Sequence, residues 1–381
     1  MKPLLTLGAL QVTPYGLLIF AGAVAGALLV LRRKEARASL PFVLLLSLIC
    51  GHVVWCLLSD TYMEYHGSKL LYQIWRGGYT LYGVVAGGAL GALIGSLISR
   101  EKFLDVTDAL APGAAAALFF ARIAEYWSNQ GFGHSLDAFV DSTDTPGMVN
   151  LFTFPLSYIP LNELEEFGED ASWYYAVWFW EAIAALAILA VLLIRRKGRR
   201  GDRTFIFLGA LGLTQILFEQ LRQDEKVMLT GFVSFTQIAA LVSIIAVLIA
   251  LIALRRPGWL KAVLAFAVLI CAGLTVMCTE FVLDTKTKYV PYLYLSAAGT
   301  AIFAAALLIV ARKRDGLLPA GMTALAGGIL ILTYMLEDPF YRGSLILYSY
   351  MAWALAAIGI AVAVCMKPGR HSESSGKEIT A

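Results

Sequence analysis

The sequence FFARIAEYWSNQGFG, residues 119–133, takes an apolar helix to its end and stops it with polar residues and two glycines. Arg122, Glu125 and Asn129 are spaced i, i+3 and i+7, so a helix places all three side chains on one face. An arginine in the middle of a membrane helix costs roughly 2.5–3.5 kcal/mol. The pattern therefore predicts that these polar residues are kept for a function or for binding a neighbouring helix.

The composition of the chain identifies its broad class. Of its 381 residues, 59% are hydrophobic and only 15% are charged. Soluble domains are about 45–50% apolar and about 25% charged. We therefore expect an all-α integral membrane protein, and the basic residues gather at helix ends, where membrane topology rather than nucleic-acid binding accounts for them.

Eleven apolar stretches are long enough to cross about 30 Å of hydrocarbon as helices. The predicted spans are 12–31, 40–58, 78–98, 104–125, 174–194, 204–221, 231–254, 262–283, 290–311, 317–336 and 343–366. Lysines and arginines give the orientation, because 21 of the 30 lie at one set of helix ends, 8 at the other and Arg122 within a span. This bias predicts an N-terminus outside and a C-terminus in the cytoplasm.

The connections between the spans divide the chain into regions. We predict a membrane core over 1–254 and a further four-helix membrane region over 255–366, with a disordered cytoplasmic tail over 367–381. The connection 126–173 contains no lysine or arginine and is rich in acidic and aromatic residues. Connections of this length are usually functional or disordered. The aromatic content favours a small folded cap outside the membrane, with a solvated acidic loop as the alternative.

A second polar stripe resembles the first. Gln215, Glu219 and Arg222 are spaced i, i+4 and i+7 near the expected outer end of the sixth span. Together the two stripes predict a polar cavity that opens to the outside. The guanidinium fork of arginine suits a phosphate, and the abundant phosphates of a bilayer belong to lipids, so a phospholipid headgroup is the first candidate ligand. Alternatively, each stripe neutralises its own charges or holds helices together.

Several other features are weaker alone. Glycines spaced by four in the third span predict close helix packing, at Gly83, Gly87, Gly91 and Gly95. Single polar candidates within or near spans are Tyr15, Tyr82, Glu181 and Gln237. The five cysteines lie in apolar spans without the spacing of a zinc site or a disulfide framework, so we predict no metal and no other cofactor.

Taken in order, these segments resemble the bacterial prolipoprotein diacylglyceryl transferase family over about residues 8–254. The early Tyr15-Gly16 and WRGGYTLYG, residues 75–83, resemble two of its segments, with Tyr82 where the family has histidine. The 119–133 segment resembles Gly-Arg-x-Gly-Asn-Phe-x-Asn-x-Glu-x-x-Gly. Its matches are Arg122 and Gly133, while Glu125 replaces asparagine and Gln130 replaces glutamate.

Two later segments continue the resemblance. YAVWFWE, residues 175–181, keeps only the glutamate of His-Pro-x-Gln-x-Tyr-Glu, at Glu181. QILFEQLRQDE, residues 215–225, resembles Arg-Phe-x-x-Glu-x-x-Arg-x-x-Asp. Its matches are Glu219 and Arg222, Gln215 replaces the first arginine, and Asp224-Glu225 lies where aspartate is expected.

The resemblance implies a seven-helix core in the bacterial plasma membrane, here with four extra helices, and an outward-facing polar cavity. It implies transfer of a diacylglyceryl group from phosphatidylglycerol to the lipobox cysteine thiol of a prolipoprotein signal peptide. Arg122, with Arg222, would hold the phosphate, and Glu125 is our choice of base, with Glu219, His134 or Tyr82 as alternatives. The substrate-binding candidates are Tyr15, Asn129, Gln130, Gly133, Gln215 and Arg222.

Two other functions stay open on the sequence. The replaced residues at Tyr82, Glu125, Gln130 and Gln215 fit a relative without catalytic activity that binds phospholipid or lipoprotein. The number of helices and the extra spans also fit a transporter of a small solute or lipid.

Overall fold

The computed structural model describes residues 4–7, 10–58, 71–72, 78–135, 157–168, 171–194, 199–224, 228–230, 233–283, 287–311 and 342–366. Contacts between Cα atoms divide the chain into two compact units, Met1–Leu241 and Val242–Ala381. The division falls within one helix, Phe235–Arg255. The boundary predicted from sequence after residue 254 stays a prediction.

The helices of the first unit follow the predicted spans closely. They are α1 (Pro14–Leu31), the short α2 (Lys34–Arg37), α3 (Leu40–Leu58), α4 (Leu81–Ser99), α5 (Phe103–Ser128), the short α6 (Leu161–Phe167), α7 (Val177–Ile194), α8 (Asp202–Leu221) and the start of α9 (Phe235–Arg255).

The second unit contains the rest of α9, then α10 (Trp259–Leu283), α11 (Val290–Ala311) and α12 (Arg342–Met366). Among the described residues, nine helices are long and apolar enough to cross a membrane, which makes the chain an all-α integral membrane protein. The predicted span 317–336 and the predicted tail 367–381 lie outside the described residues.

Short strands, which the sequence did not predict, connect some of these helices. Strands β1 (Leu5–Leu7) and β2 (Leu10–Val12) form an antiparallel pair before α1. Two strands of the predicted cap, β3 (Phe132–Ser135) and β4 (Ser157–Tyr158), form one antiparallel sheet with β5 (Tyr174–Ala176), in the order β3-β5-β4. The first three residues of the predicted span 174–194 are thus a strand, and the helix begins at Val177. Between α8 and α9, β6 (Met228–Thr230) pairs with β7 (Val233–Ser234).

Glycines allow the first helices to pack closely. A Cβ at Gly87 would overlap the backbone of Leu46, and a Cβ at Gly91 would overlap Val43, so α4 can lie this close to α3 only without side chains there. Gly26 of α1 meets Gly113 of α5 in the same way. This is the packing role that the four-residue spacing predicted.

Helices α5 and α8 run side by side in the same direction. At their N-terminal ends, the Asp108 carboxylate accepts hydrogen bonds from the Gly201 N–H at 2.6 Å and from the Thr204 N–H and hydroxyl at 2.8 Å. Near their C-terminal ends, Arg122 donates to Gln215. Between these ends the helices pack with α7 through buried apolar side chains, which include Ala115, Leu192 and Leu211. This packing fixes the position of the polar residues at the C-terminal ends.

The second unit differs in its buried polar groups. Among its described residues these are hydroxyls, and Thr275 and Thr300 approach each other to 3.4 Å between α10 and α11. Each also donates to a carbonyl one turn earlier on its own helix. Hydroxyls that are satisfied in this way hold α10 and α11 together without a charged group between them.

Candidate active site

The C-terminal end of α5 is shaped by backbone conformations that few residues adopt. Asn129 takes the left-handed conformation, with φ 54°, and its N–H donates to the Glu125 carbonyl. Gly131 follows with φ 71°, and a Cβ there would collide with the Glu125 carboxylate and with Trp178. The Gly131 N–H instead donates to Asp224 Oδ2 at 3.0 Å. A glycine is therefore needed where the chain turns past Glu125.

Arg122 is the centre of a buried cluster. Its side chain is 8% exposed, and Nη1 donates to Glu125 Oε1. Nη2 donates to Gln215 Oε1 at 2.9 Å and lies 3.3 Å from Glu181 Oε1. Its Nε is buried and has no hydrogen-bond partner among the described residues. A buried N–H without a partner is costly, so this atom points to a ligand that supplies an acceptor.

Glu181 of α7 connects the two arginines. Its side chain is 1% exposed, and Oε2 lies 2.9 Å from Arg222 Nη1. Oε1 faces Arg122 and also accepts a hydrogen bond from Gln215 Nε2 at 3.2 Å. Three neighbours thus hold this carboxylate, which explains how a charge is tolerated in an otherwise apolar helix.

Arg222 follows the last residue of α8, where the backbone becomes extended. Its Nε and Nη2 donate to the two oxygens of Asp224, at 3.0 Å and 2.7 Å. Its Nη1 lies 3.2 Å from Glu125 Oε2. Such a two-point pair fixes the orientation of the guanidinium as well as its position.

The cluster contains more acidic than basic groups. Glu219 is also buried, and it lies near enough to Glu181 for the two carboxylates to repel each other. The described cluster therefore brings two guanidinium groups, Arg122 and Arg222, against four carboxyl groups, Glu125, Glu181, Glu219 and Asp224. Buried charges are tolerated only when they are paired. Both arginines are paired in this way with carboxylates of the protein.

Aromatic side chains from α5, β4 and α7 lie beside the charges. The rings of Tyr126, Tyr158 and Trp178 lie 5.6–5.9 Å from one another in tilted or edge-to-face arrangements. Burial, and then the nearby carboxylates of Asp224 and Glu125, raise the pKa of the Tyr158 hydroxyl. Tyr158 therefore stays protonated at neutral pH, as a hydroxyl that can donate next to the cluster.

The structure brings many of the predicted site residues together. In the cluster itself these are Arg122, Glu125, Gln215, Glu219 and Arg222. Tyr15, at the start of α1, lies near enough for the charges of Arg122, Glu125 and Arg222 to act on its hydroxyl. The two stripes predicted from spacing thus meet in space, and their catalytic and binding roles stay predictions.

Other predicted residues lie apart from these contacts. Gln130 is exposed, and its Oε1 accepts a hydrogen bond from the Ser128 hydroxyl. Asn129 accepts the backbone N–H of Asn162, which connects the end of α5 to α6. Gly133 provides space in β3 for close packing against Tyr175 and the carbonyl of Leu221.

Three further candidate residues lie in α4, in β3 and at the start of α9. Tyr82 is the second residue of α4, half-buried, with its hydroxyl enclosed by protein. The backbone of His134 belongs to β3, and its side chain lies outside the described structure. Gln237 accepts the Ser234 N–H at 3.0 Å at the start of α9, which is a helix-capping contact.

Two residues of the cluster, Glu181 and Asp224, are not among the site residues predicted from the sequence. Glu181 was only a weak single candidate, although a lone carboxylate within VWFWEAIAAL is itself an indication of a partner in the membrane. Asp224 was noted only through the family resemblance, because it lies in a connection without helical spacing. Among the described residues, no group of three or more side chains is arranged to hold a metal ion.

The fold and the cluster define a class: a multi-pass membrane protein whose charged groups meet at one end of three apolar helices. Residues 2–254 match the family model described as prolipoprotein diacylglyceryl transferase. The chain therefore belongs to the prolipoprotein diacylglyceryl transferase family, as the resemblance predicted.

Relatives named phosphatidylglycerol–prolipoprotein diacylglyceryl transferase are similar to the same part of the chain. The Bacillus velezensis protein is 22% identical over 66% of this chain and 92% of its own length. The Bacillus licheniformis protein is 24% identical over 66% of this chain and 90% of its own length. The Tropheryma whipplei protein (strain Twist) is 27% identical over 57% and 80%. The named activity is that of a transferase, and the family match ends before α10.

Proposed function

We propose that this chain transfers a diacylglyceryl group from phosphatidylglycerol to the lipobox cysteine thiol of a prolipoprotein signal peptide. The names of the relatives support this donor and this acceptor. The reaction would take place at the extracytoplasmic face of the bacterial plasma membrane. The excess of lysine and arginine at the opposite helix ends supports this orientation.

At the level of residues, the proposal rests on buried Arg122, whose Nε–H has no acceptor in the part of the chain that the structure describes and lies next to a second arginine and a carboxylate. A phosphate oxygen supplies such an acceptor. In the transfer, the thiol loses its proton and the sulfur attacks the phosphate-bearing carbon of the diacylated glycerol. The carbon–oxygen bond breaks, and glycerol phosphate leaves with the electron pair and one additional negative charge.

The two arginines and the carboxylate have distinct roles in this scheme. Arg122 and Arg222 stabilise the negative charge that develops on the departing phosphate. This electrostatic stabilisation is strongest in a site shielded from water. Glu125 accepts the thiol proton. Glu181 and Asp224 position the guanidinium groups, because each holds one or both of them at 2.7–3.3 Å.

A direct assay tests the proposal. The purified chain would be incubated in detergent with phosphatidylglycerol labelled in its acyl chains and a lipobox peptide, with a cysteine-to-serine peptide as the control. We expect a thioether-linked lipid on the cysteine peptide alone. No thioether product, together with retained binding of phosphatidylglycerol, would instead support the binding relative without catalytic activity, and transport assays would address the third alternative.

A further inference from the structure

Glu125 contacts both arginines of the cluster. Its Oε1 accepts a hydrogen bond from Arg122 Nη1, and its Oε2 lies 3.2 Å from Arg222 Nη1. The carboxylate therefore lies between the two guanidinium groups. A phosphate diester that used both arginines would have to lie where this carboxylate lies.

The other contacts leave few guanidinium N–H groups for an incoming anion. Arg122 Nη2 is used by Gln215 and Glu181, and Arg222 Nε and Nη2 are used by Asp224. Of the guanidinium nitrogens of Arg122 and Arg222, only the Nε of Arg122 has no acceptor among the described residues. Since the carboxyl groups already outnumber the guanidinium groups, a phosphate gains an arginine here chiefly by exchange with a carboxylate.

Among the three carboxylates paired with the arginines, Glu125 differs in the kind of partner it has. Glu181 also accepts a hydrogen bond from Gln215 at 3.2 Å, and Asp224 also accepts the Gly131 N–H at 3.0 Å. Within the described part of the chain, the contacts of the Glu125 carboxylate are with Arg122 and Arg222 alone. Exchange of Glu125 for a phosphate thus replaces one anionic partner of the arginines by another and breaks no contact with a neutral group.

We infer that the donor phosphate displaces Glu125 from Arg122 and Arg222, and that this displacement prepares Glu125 to take the thiol proton. This inference rests on the proposed function. A carboxylate that loses a cationic partner becomes a stronger base, because the nearby positive charge had favoured its ionised form. The donor lipid therefore binds before the thiol is deprotonated, and no thiolate forms in a site without lipid.

The affinity for the donor tests the exchange. A short-chain phosphatidylglycerol would be titrated into the wild-type protein and into Glu125→Gln, and the dissociation constants compared by calorimetry. Glutamine cannot compete with the phosphate as a charge, so we expect binding about tenfold tighter in the variant, while transfer falls by about 100-fold. Unchanged or weaker binding in Glu125→Gln would overturn the inference.

A matched variant controls for the loss of a carboxylate as such. Glu166 is exposed on α6, outside the cluster. Glu166→Gln makes the same chemical change there and should leave both donor affinity and transfer unchanged. An equal gain in affinity in this control would assign the effect to net charge and overturn the exchange at Glu125.

If the wild type forms no thioether product at all, the proposed function fails, whereas the comparison of donor affinities still decides the exchange.

Discussion

Helices α5 and α8 contact each other through polar groups at both of their ends, and the two ends are built differently. At the N-terminal ends, Asp108 accepts two backbone N–H groups and one hydroxyl. Nearby, Arg200 pairs with Asp105, with side chains that are 49% and 27% exposed. At the C-terminal ends, the side chains of Arg122 and Arg222 are only 8% and 11% exposed, and the Arg122 Nε–H has no acceptor among the residues that the structure describes.

The difference separates an anchor from a site. A carboxylate that satisfies the free N–H groups at a helix N-terminus is complete without a ligand, so Asp108 contributes to stability. The cluster differs, because its two arginines face more carboxylates than they can neutralise and its charges are not balanced by the protein alone. Substitutions at the two ends should therefore differ in kind, because changes in the cluster affect transfer and changes at the N-terminal ends affect folding alone.

Arg122→Ala should have the largest effect. It removes the cation that faces both Glu125 and Glu181, so we expect kcat/KM for transfer to fall by about 1,000-fold. The two carboxylates left without this partner should also lower the unfolding free energy by about 3–5 kcal/mol. Transfer kinetics and denaturation in detergent measure the two effects. Transfer that survived this change would refute Arg122 as the phosphate-holding residue.

Asp224→Asn should have an intermediate effect on transfer and a small one on folding. The amide keeps the shape of the side chain but loses the two-point ionic pair with Arg222, so the guanidinium is positioned less well. We expect kcat to fall by about 10-fold to 100-fold, and Asp224→Glu to recover part of the loss. An unchanged kcat would show that Arg222 needs no positioning by this residue.

Asp108→Ala should affect stability alone. It leaves the Gly201 and Thr204 N–H groups without their acceptor, so we expect a loss of about 1–3 kcal/mol in unfolding free energy. Transfer by the folded fraction should be unchanged, because Asp108 lies at the opposite end of the helices from the cluster. A specific loss of kcat at temperatures well below unfolding would contradict the separation of the two ends.

Arg200→Ala should have the smallest effect and serves as the control for Arg122→Ala. Exposed ion pairs contribute about 0–1 kcal/mol, so removing the contact with Asp105 should hardly change the unfolding midpoint. Transfer should equal that of the wild type. A loss comparable to that of Arg122→Ala would mean that any arginine on these helices is needed, and the comparison would fail.

Local sequence pattern predicted the membrane helices of the first unit and most residues of the cluster. Hydropathy alone places α1, α3 and α8 within a few residues of their observed bounds, because a membrane span needs a continuous apolar segment. Helical spacing put Arg122 and Glu125 on one face, and the structure pairs them directly. Such contacts within one helix follow from its 3.6-residue period.

Spacing along one segment does not predict contacts between different helices and connections. Glu181 and Asp224 come from α7 and from the connection after α8, so no spacing relates them to Arg122. Gln130 follows the same helix end as the cluster residues, yet its side chain accepts a hydrogen bond from Ser128 and is exposed. The left-handed conformation of Asn129 changes the direction of the chain there.

Composition and periodicity along single segments are thus enough to indicate a membrane protein of apolar helices, its family resemblance and the two polar stripes. The pairing of the charges follows from the packing of the helices: Glu181 connects both arginines, Asp224 fixes Arg222, and Glu125 lies between them. A buried charge is stabilised by groups within a few ångströms, and packing rather than sequence distance determines which groups those are.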